Sequence, residues 1–521
     1  MRAAFKTVAT AVTLAAAVAG VSCATYSDKT EDAHNALRKA DYKGSVSHFN
    51  KILKVRSAES FPKKWKKNFE LVVLERAMVL QAMGEFELSA KNFQAAEKKL
   101  EFLDLARDGA GKIGKYIYSD DATKYKTTPT EKLSLNALNM VNYLARGDLN
   151  GAKVEAKRFT TMRKYFSDYD PEHEHGAFGS YLAGFVYERL GRSDTALRYY
   201  EEALQERDFG SLAHPIARLA KTGTFRGERI NEYLPSAPDI PKPEPKPAAP
   251  EPVAKPATVA PVTAPVDAEA AQPSQDAGEV KAPPASPPVQ RPDQASTLLG
   301  SWVTAGSNLW NAPPKLPAEI LVVAKTGRVP YKIPKRIPIG AAIGLAGAYI
   351  TGDTTLLEYG MFKVLTYPEL VSAKNVFVDA DLRIDGKTVP LESATDIGSE
   401  VVSEFDELRP KIIGAALTRM IVRAAAAEGA RAAGRQADGA AGLVGFLAAA
   451  AVEGTMVALD KPDTRSWATL PDRVFVGRLV VPPGVHRVEV TAYGPGGKEQ
   501  HSIEVEVPAS GFVVVDVTTL R

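Results

Sequence analysis

Between residue 28 and about residue 230, apolar and polar positions recur in one pattern. Each copy has a helix-period stretch, a tight turn at Gly or Ala, and a second helix-period stretch with small and aromatic residues at fixed offsets. The turns fall at Ala40, Gly84, Gly147 and Gly191. Five, nine and twelve residues later stand Ser45, Phe49 and Ile52; Ser89, Phe93 and Ala96; Ala152, Ala156 and Phe159; and Ala196, Tyr200 and Ala203. Upstream, Ala33, Ala77, Met140 and Gly184 share one equivalent position. Four matched copies predict four helix pairs, with small residues allowing close approach and aromatics filling the gaps. The turns are 44, 63 and 44 residues apart, so extra helix and loop are expected between copies. An irregular helical bundle is the alternative.

In the carboxyl-terminal half the period changes from 3.6 to two. Residues 318–337 read as two extended pieces carrying Arg328, Lys332, Lys335 and Arg336. Residues 376–392 alternate around Asp385-Gly386, a type I′ hairpin signal. Four alternating runs close the chain, 473–481, 485–493, 499–507 and 512–520, and predict an antiparallel meander forming half of a sandwich. Two Gly/Ala-rich stretches lie between these strands. Gly340, Gly344 and Gly347 form a small-residue stripe in 340–352, a pattern that permits close helix approach. In 410–459, the charges of Arg409, Arg419, Arg423, Arg431 and Arg435 gather on one helical face. Buried Ala-rich helices with a solvated Arg face account for this pattern, and so does contact with anionic lipid or with a second copy. Glu453 and a low Leu/Ile content argue against independent spanning by 442–459.

The stretch 235–292 separates the halves, with 17 of the chain's 36 prolines and no aromatic residue. Such a segment buries too little apolar surface to fold, so 235–298 is expected to be a disordered, extended linker. The resulting class is α+β multidomain. A signal peptide (1–22) precedes a helical repeat domain (23–230), the linker (235–298) and a mixed domain (299–521) whose β-rich module is 463–521.

The 521 residues carry 65 Lys plus Arg against 62 Asp plus Glu, a formal charge of +3. That balance lacks the basic excess a nucleic-acid binder uses for counterion release. One cysteine excludes an internal disulfide and any cysteine-rich metal site. Glu172-His173-Glu174-His175 supplies metal-type ligands, but alternate residues on a loop chelate weakly, and no metal or cofactor is expected. There is no Gly-x-Ser-x-Gly elbow, phosphate-binding glycine loop or His-Glu-x-x-His helix, so no catalytic residue is assigned. Glu404 and Glu407 are expected to be solvated carboxylates at a charged helix start.

Residues 1–22 have two cations, Arg2 and Lys6, then an uncharged Ala/Val run, then Gly20-Val21-Ser22 and the lone Cys23. This resembles the signal peptide and lipobox of bacterial lipoproteins, with Gly20 where Leu is usual. The resemblance implies acylation of Cys23 and, with Ala24 following, an outer-membrane position facing the periplasm. Cleavage after Ala24, leaving a soluble periplasmic chain, is the alternative.

The helix pairs resemble tetratricopeptide repeats. That resemblance places Phe178, Tyr181, Phe185, Glu188 and Arg189 of the fourth copy in a groove able to clasp an envelope protein or peptide. The same aromatic spacing also suits packing against a capping helix near 210–222. The whole order of features resembles a family of uncharacterised bacterial lipoproteins with tetratricopeptide-like amino halves and β-containing carboxyl halves. It is carried by Glu131-Lys132, Asn142 through Asp148, Val154 through Arg158, Tyr181 through Glu188, and Asp463-Thr464-Arg465-Ser466-Trp467 with Leu470-Pro471. The expected function is a non-enzymatic envelope scaffold, bound to membrane by its lipid. The alternative is a homo-oligomeric export or pore-assembly component using 340–352 and 410–459. An enzyme acting on envelope polymer is the third class.

Overall fold

The computed structural model describes residues 24–102, 125–169, 176–234, 316–350, 364–435 and 462–521. Cys23, the Glu172–His175 run, the linker 235–298 and residues 436–461 lie outside them. The described chain is mixed, with helices in the amino-terminal part and open sheets in the carboxyl-terminal part.

The helices pair consecutively: α1 (Tyr26–Arg38) with α2 (Tyr42–Leu53), and α3 (Phe69–Ala82) with α4 (Phe86–Glu97). After the short strands β1 (Glu101–Phe102) and β2 (Lys126–Thr127), α5 (Pro129–Ala145) pairs with α6 (Leu149–Tyr169), and α7 (Ala177–Arg189) with α8 (Ser193–Glu206). Each turn turns back through one residue of positive φ: Ala40 at 58°, Gly84 at 75°, Gly147 at 67° and Gly191 at 70°. Capping boxes start two of the helices, Thr25 with Asp28 on α1 and Thr128 with Glu131 on α5, where Pro129 also fits the first turn. Gly184 and Tyr200 meet across the fourth pair. A Cβ on Gly184 would lie 2.4 Å from the Tyr200 ring, so the glycine is needed for that approach.

Two helices, α9 (Ala213–Leu219) and α10 (Glu228–Glu232), follow, and the strands begin at β3 (Glu319–Thr326) and β4 (Tyr331–Pro338). Then come α11 (Ile339–Ala346), β5 (Val364–Val371), β6 (Asp379–Ile384), β7 (Lys387–Val389) and β8 (Glu392–Asp396). Helix α12 (Ile397–Arg435) leads to β9 (Arg473–Val480), β10 (Gly484–Gly494), β11 (Gly497–Val507) and β12 (Phe512–Thr519). Both β6–β7 turn residues have positive φ, Asp385 at 51° and Gly386 at 75°, as a type I′ turn requires.

The four terminal runs are all strands, but they do not form the expected meander. One sheet runs β12-β3-β9-β8 and the other β11-β10-β6-β7. Strand β3 inserts between β9 and β12, antiparallel to the first and parallel to the second. Of the expected neighbours only β10 and β11 pair.

The reason lies in the two faces of β3 and β12. Ile320, Val322 and Ala324 join Val513, Val515 and Val517 in a core shared with Leu382, Ile384, Val488 and Val490 of the other sheet. Leu321, Val323 and Val514, on the opposite face, join the helical core. The three layers are therefore helices, central sheet and outer sheet. Strands buried on both faces need near-continuous apolar runs, which β3 and β12 have.

Sequence leaves open whether the halves touch. The described residues on the two sides of the linker form one compact unit. A smaller core sits beside the layers: Ile339, Ala342 and Ala346 of α11 pack with Leu365 and Tyr367 of β5 and with Ile413, Leu417 and Met420 of α12. The lower half of the 410–459 stretch is thus the continuation of a helix that starts at Ile397 and carries Pro410 inside it. Among its arginines, Arg423, Arg431 and Arg435 lie outside the described side chains.

Candidate functional site

Strand alternation decides which side chains the central sheet points at the helices. Glu319 and Lys325 share parity with Leu321 and Val323, and Asp516 shares parity with Val514, so three ionisable groups project into the helix–sheet junction. Arg478 of β9 joins them there. Each is 8% exposed or less.

The five groove residues of α7 meet this surface. Phe178 is 4% exposed, Tyr181, Phe185 and Glu188 are 0%, and Arg189 is 1%. All five are buried within the chain itself, and Tyr181, Phe185, Glu188 and Arg189 face its own sheet or the capping segment, so in this structure they are covered against an external partner. Phe185 packs edge-on against Phe512, with centroids 5.3 Å apart, and the guanidinium of Arg478 lies 4.9 Å from its ring. Tyr181 lies 4.9 Å from Phe209, and its hydroxyl is 3.1 Å from Ser211 Oγ, just before α9. That is the packing against the 210–222 segment which the same spacing also suits.

The charges close on one another. Arg478 donates to Glu188 Oε1 at 2.7 Å, to Tyr200 Oη at 3.0 Å and to both oxygens of Glu319. Arg189 also pairs with Glu319 and donates to Pro317 O at 3.1 Å. Arg218 reaches Glu188 from α9. Burial would raise the Glu188 carboxyl, but Arg478, Arg189 and Arg218 overcome it and hold it down at about 2. Two carboxylates and two central guanidiniums nearly balance, and each carboxylate is bonded to more than one arginine, the pairing a buried ion network requires.

A second weld is deeper. Lys325 Nζ pairs with Asp516 Oδ1 at 2.8 Å, both 0% exposed, and donates to Gln81 Oε1 of α3 at 2.5 Å. Gln81 in turn donates to Leu138 O and Asn142 Oδ1, each at 2.8 Å, tying α5 to the same pair.

The third weld is the segment 462–471, which carried part of the family resemblance. Trp467 is 1% exposed and packs edge-on against Phe93 at 5.8 Å. Its backbone N–H donates to Glu131 Oε1 at 3.0 Å, and its indole N–H donates to Thr469 Oγ1 at 3.1 Å. Thr464 Oγ1 accepts from Ser27 N at 3.2 Å, and Arg465 donates to Asn68 Oδ1 at 3.2 Å. One strap therefore touches α1, the start of α3, α4 and α5.

Glu404 corrects one expectation. It is 5% exposed rather than solvated, and it accepts from both the backbone N–H and the hydroxyl of Thr130 at 2.7 Å, at the N-terminus of α5. Glu407 is exposed, as expected, and pairs with Lys411. Sequence gives no sign of this difference, because α12 starts among Ser, Glu and Asp residues that read as a solvated helix end.

Burial raises Glu404 to about 7 and Glu400, which accepts from Thr395 Oγ1 at 2.6 Å, to about 8. Both folded values exceed the unfolded one, so the folded state holds more protons between pH 4.5 and 8 and stability falls as pH rises through that window. Glu404→Gln should remove its share of the loss, on the order of 2–3 kcal/mol at pH 8. Urea unfolding at pH 4.5 and pH 8 checks this: wild type and variant should differ more at pH 8, with the variant the more stable.

Among the described residues, no group of three or more His, Cys, Asp or Glu could hold a metal ion. Among them, too, no helix is long and apolar enough to cross a membrane. Comparison with known proteins finds no family model, no curated protein and no solved structure that matches this chain.

Proposed function

We propose that the chain is a non-enzymatic cell-envelope lipoprotein, anchored through Cys23, and that it serves as an assembly scaffold built on tetratricopeptide-like helix pairs. The observation carrying this reading is the junction itself. The groove-type side chains of α7 grip a sheet, and that sheet belongs to the same chain. A body closed in this way offers partners its outer faces rather than the fourth-pair groove. Position supports the anchor, because Thr25 caps α1 only two residues after Cys23. A lipid on that cysteine would hold the helical layer close to the outer membrane, facing the periplasm.

Fractionation of cells carrying Cys23→Ser, with crosslinked affinity capture, tests the proposal. The variant should move from the membrane to the soluble periplasmic fraction and lose a defined envelope complex. Retention in the membrane fraction would contradict the lipid anchor.

A second reading, an oligomeric export or pore-assembly component, is favoured by one surface. A Cβ added to Gly340, Gly344 or Gly347 would meet nothing within 4 Å, and Leu345 and Val364 are 49% and 51% exposed. Detergent-resistant oligomers abolished by Gly344→Leu would move this reading to first place.

A further inference from the structure

Charge is nearly balanced over the whole chain but not within residues 51–67, which hold six lysines, Arg56 and a single acidic residue, Glu59. All seven cations are exposed. The segment runs from the end of α2 to the start of α3, and its densest part is Lys63-Lys64-Trp65-Lys66-Lys67. Four ammonium groups in five residues repel one another, a cost that an opposing anionic surface removes.

The loop is fixed from below. Arg76 of α3, 0% exposed, donates to Ser60 O at 3.2 Å, to Asn50 Oδ1 at 2.6 Å and to Asn92 Oδ1 at 2.9 Å. Asn92 of α4 in turn donates to Ala58 O at 3.3 Å. The Arg76 guanidinium also lies 5.7 Å from the Phe61 ring. Trp65 is only partly buried against the helical core. The backbone that carries the lysines is therefore set before any partner arrives, which lowers the entropy lost on contact.

This loop lies at the end of the helical layer where the described residues begin. Helices α1 and α2 are joined by a short turn and run antiparallel, so the end of α2 stands beside the start of α1. The strap bears this out. Ser27 N donates to Thr464 Oγ1 at 3.2 Å, and the next strap residue, Arg465, donates to Asn68 Oδ1 at 3.2 Å. Asn68 follows Lys67 directly, and Ser27 lies in the first turn of α1. Two adjacent strap residues thus tie the start of α1 to the lysine loop.

We infer that the 51–67 loop is a docking surface for an anionic lipid membrane, with its lysines against the headgroups and Trp65 at their level. Lysine is a compact, strongly hydrated charge on a flexible stem, which suits a diffuse layer of headgroups, whereas bidentate capture of one phosphate selects arginine. Tryptophan is the residue that settles at a membrane–water interface. The inference goes beyond the scaffold reading. In taking lipid over another polyanion it rests in part on the anchor proposed at Cys23, one residue before Ala24. An acyl anchor and a polybasic patch are two signals that together give stable attachment.

The test uses the chain from Ala24 onwards, which keeps every described residue and carries neither the apolar leader nor an acyl group. Co-sedimentation is measured with phosphatidylcholine vesicles, with and without phosphatidylglycerol. Wild type should sediment only with phosphatidylglycerol and be released by added salt. Lys63→Gln/Lys64→Gln should bind about 25-fold more weakly, about fivefold for each lysine removed from an anionic surface. Lys387→Gln/Lys498→Gln, the same charge loss on the exposed outer sheet, should bind as wild type does. Equal thermal midpoints for the three proteins show that weaker binding is not loss of fold. Absence of wild-type sedimentation with phosphatidylglycerol, or equal binding by the two double variants, would overturn the docking surface. The anchor is read separately, because a salt wash releases the loop and not an acyl chain. Salt-washed cell membranes should keep wild type and lose Cys23→Ser, whichever residues stand at 63 and 64.

Discussion

Replacing Arg478 by Met is expected to lower the unfolding free energy by about 3–5 kcal/mol, because it leaves two buried carboxylates facing each other without their shared cation. Arg478 bonds both Glu188 and Glu319, so its loss removes bonds from both carboxylates. The double variant Arg478→Met/Glu188→Gln should recover much of the loss. It removes one of the stranded charges and leaves the Arg189–Glu319 pair intact. Denaturant unfolding of the three proteins gives the comparison. A double variant as unstable as the single one would mean that bulk, and not charge balance, holds this junction.

The second large effect is expected at Trp467. Truncation to Ala should cost about 3–5 kcal/mol, the usual range for a fully buried aromatic side chain whose site cannot collapse. The consequence should extend beyond the strap. Phe93 loses its edge-on partner, Thr469 loses the indole N–H, and the residue 467 N–H that holds Glu131 is left on a strap without its anchoring ring. Amide exchange in helices α4 and α5 should therefore quicken together with exchange in 462–471. Quickening confined to 462–471 would show that the strap only lies on the helices and does not join them.

How much of this was legible depends on the range of the interaction. The helix pairs were, because a turn glycine and residues five, nine and twelve positions later fall within one supersecondary unit. The Gly184–Tyr200 approach is such a local event, and its small and aromatic residues are visible in the sequence. The strands of the tail were legible for the same reason, since alternation is local. Their partners were not. Strand β3 lies about 150 residues before β9, and no periodic signal tells β9 to pair with it rather than with β10. Strand β5 was hidden by Pro368, which stands opposite Pro334 in the β4–β5 pair. The polar strand β8, Glu392–Asp396, carried no alternation to find.

The junction was half legible. Aromatic spacing marked Phe178, Tyr181 and Phe185 as residues that pack against something, and it could not say what. One signal pointed inward. Lone charges in the otherwise apolar strands β3 and β12, Glu319, Lys325 and Asp516, have to find partners if those strands are buried on both faces. Glu188 and Arg189, following an aromatic stripe on the same helix, are partners of that kind. Charged positions that match across the two halves are the mark such a contact leaves in the sequence.

That contact is the centre of the account, and one measurement reaches it directly. A protease site placed within 235–298 allows the purified full chain to be cut and passed over a gel-filtration column without denaturant. The two fragments are expected to elute together at the volume of the uncut protein, held by the Glu188–Arg478–Glu319–Arg189 cluster, the Lys325–Gln81 hydrogen bond and the Trp467 strap. Fragments that separate into two folded species would contradict it, and would return the α7 groove to solvent and to an external partner.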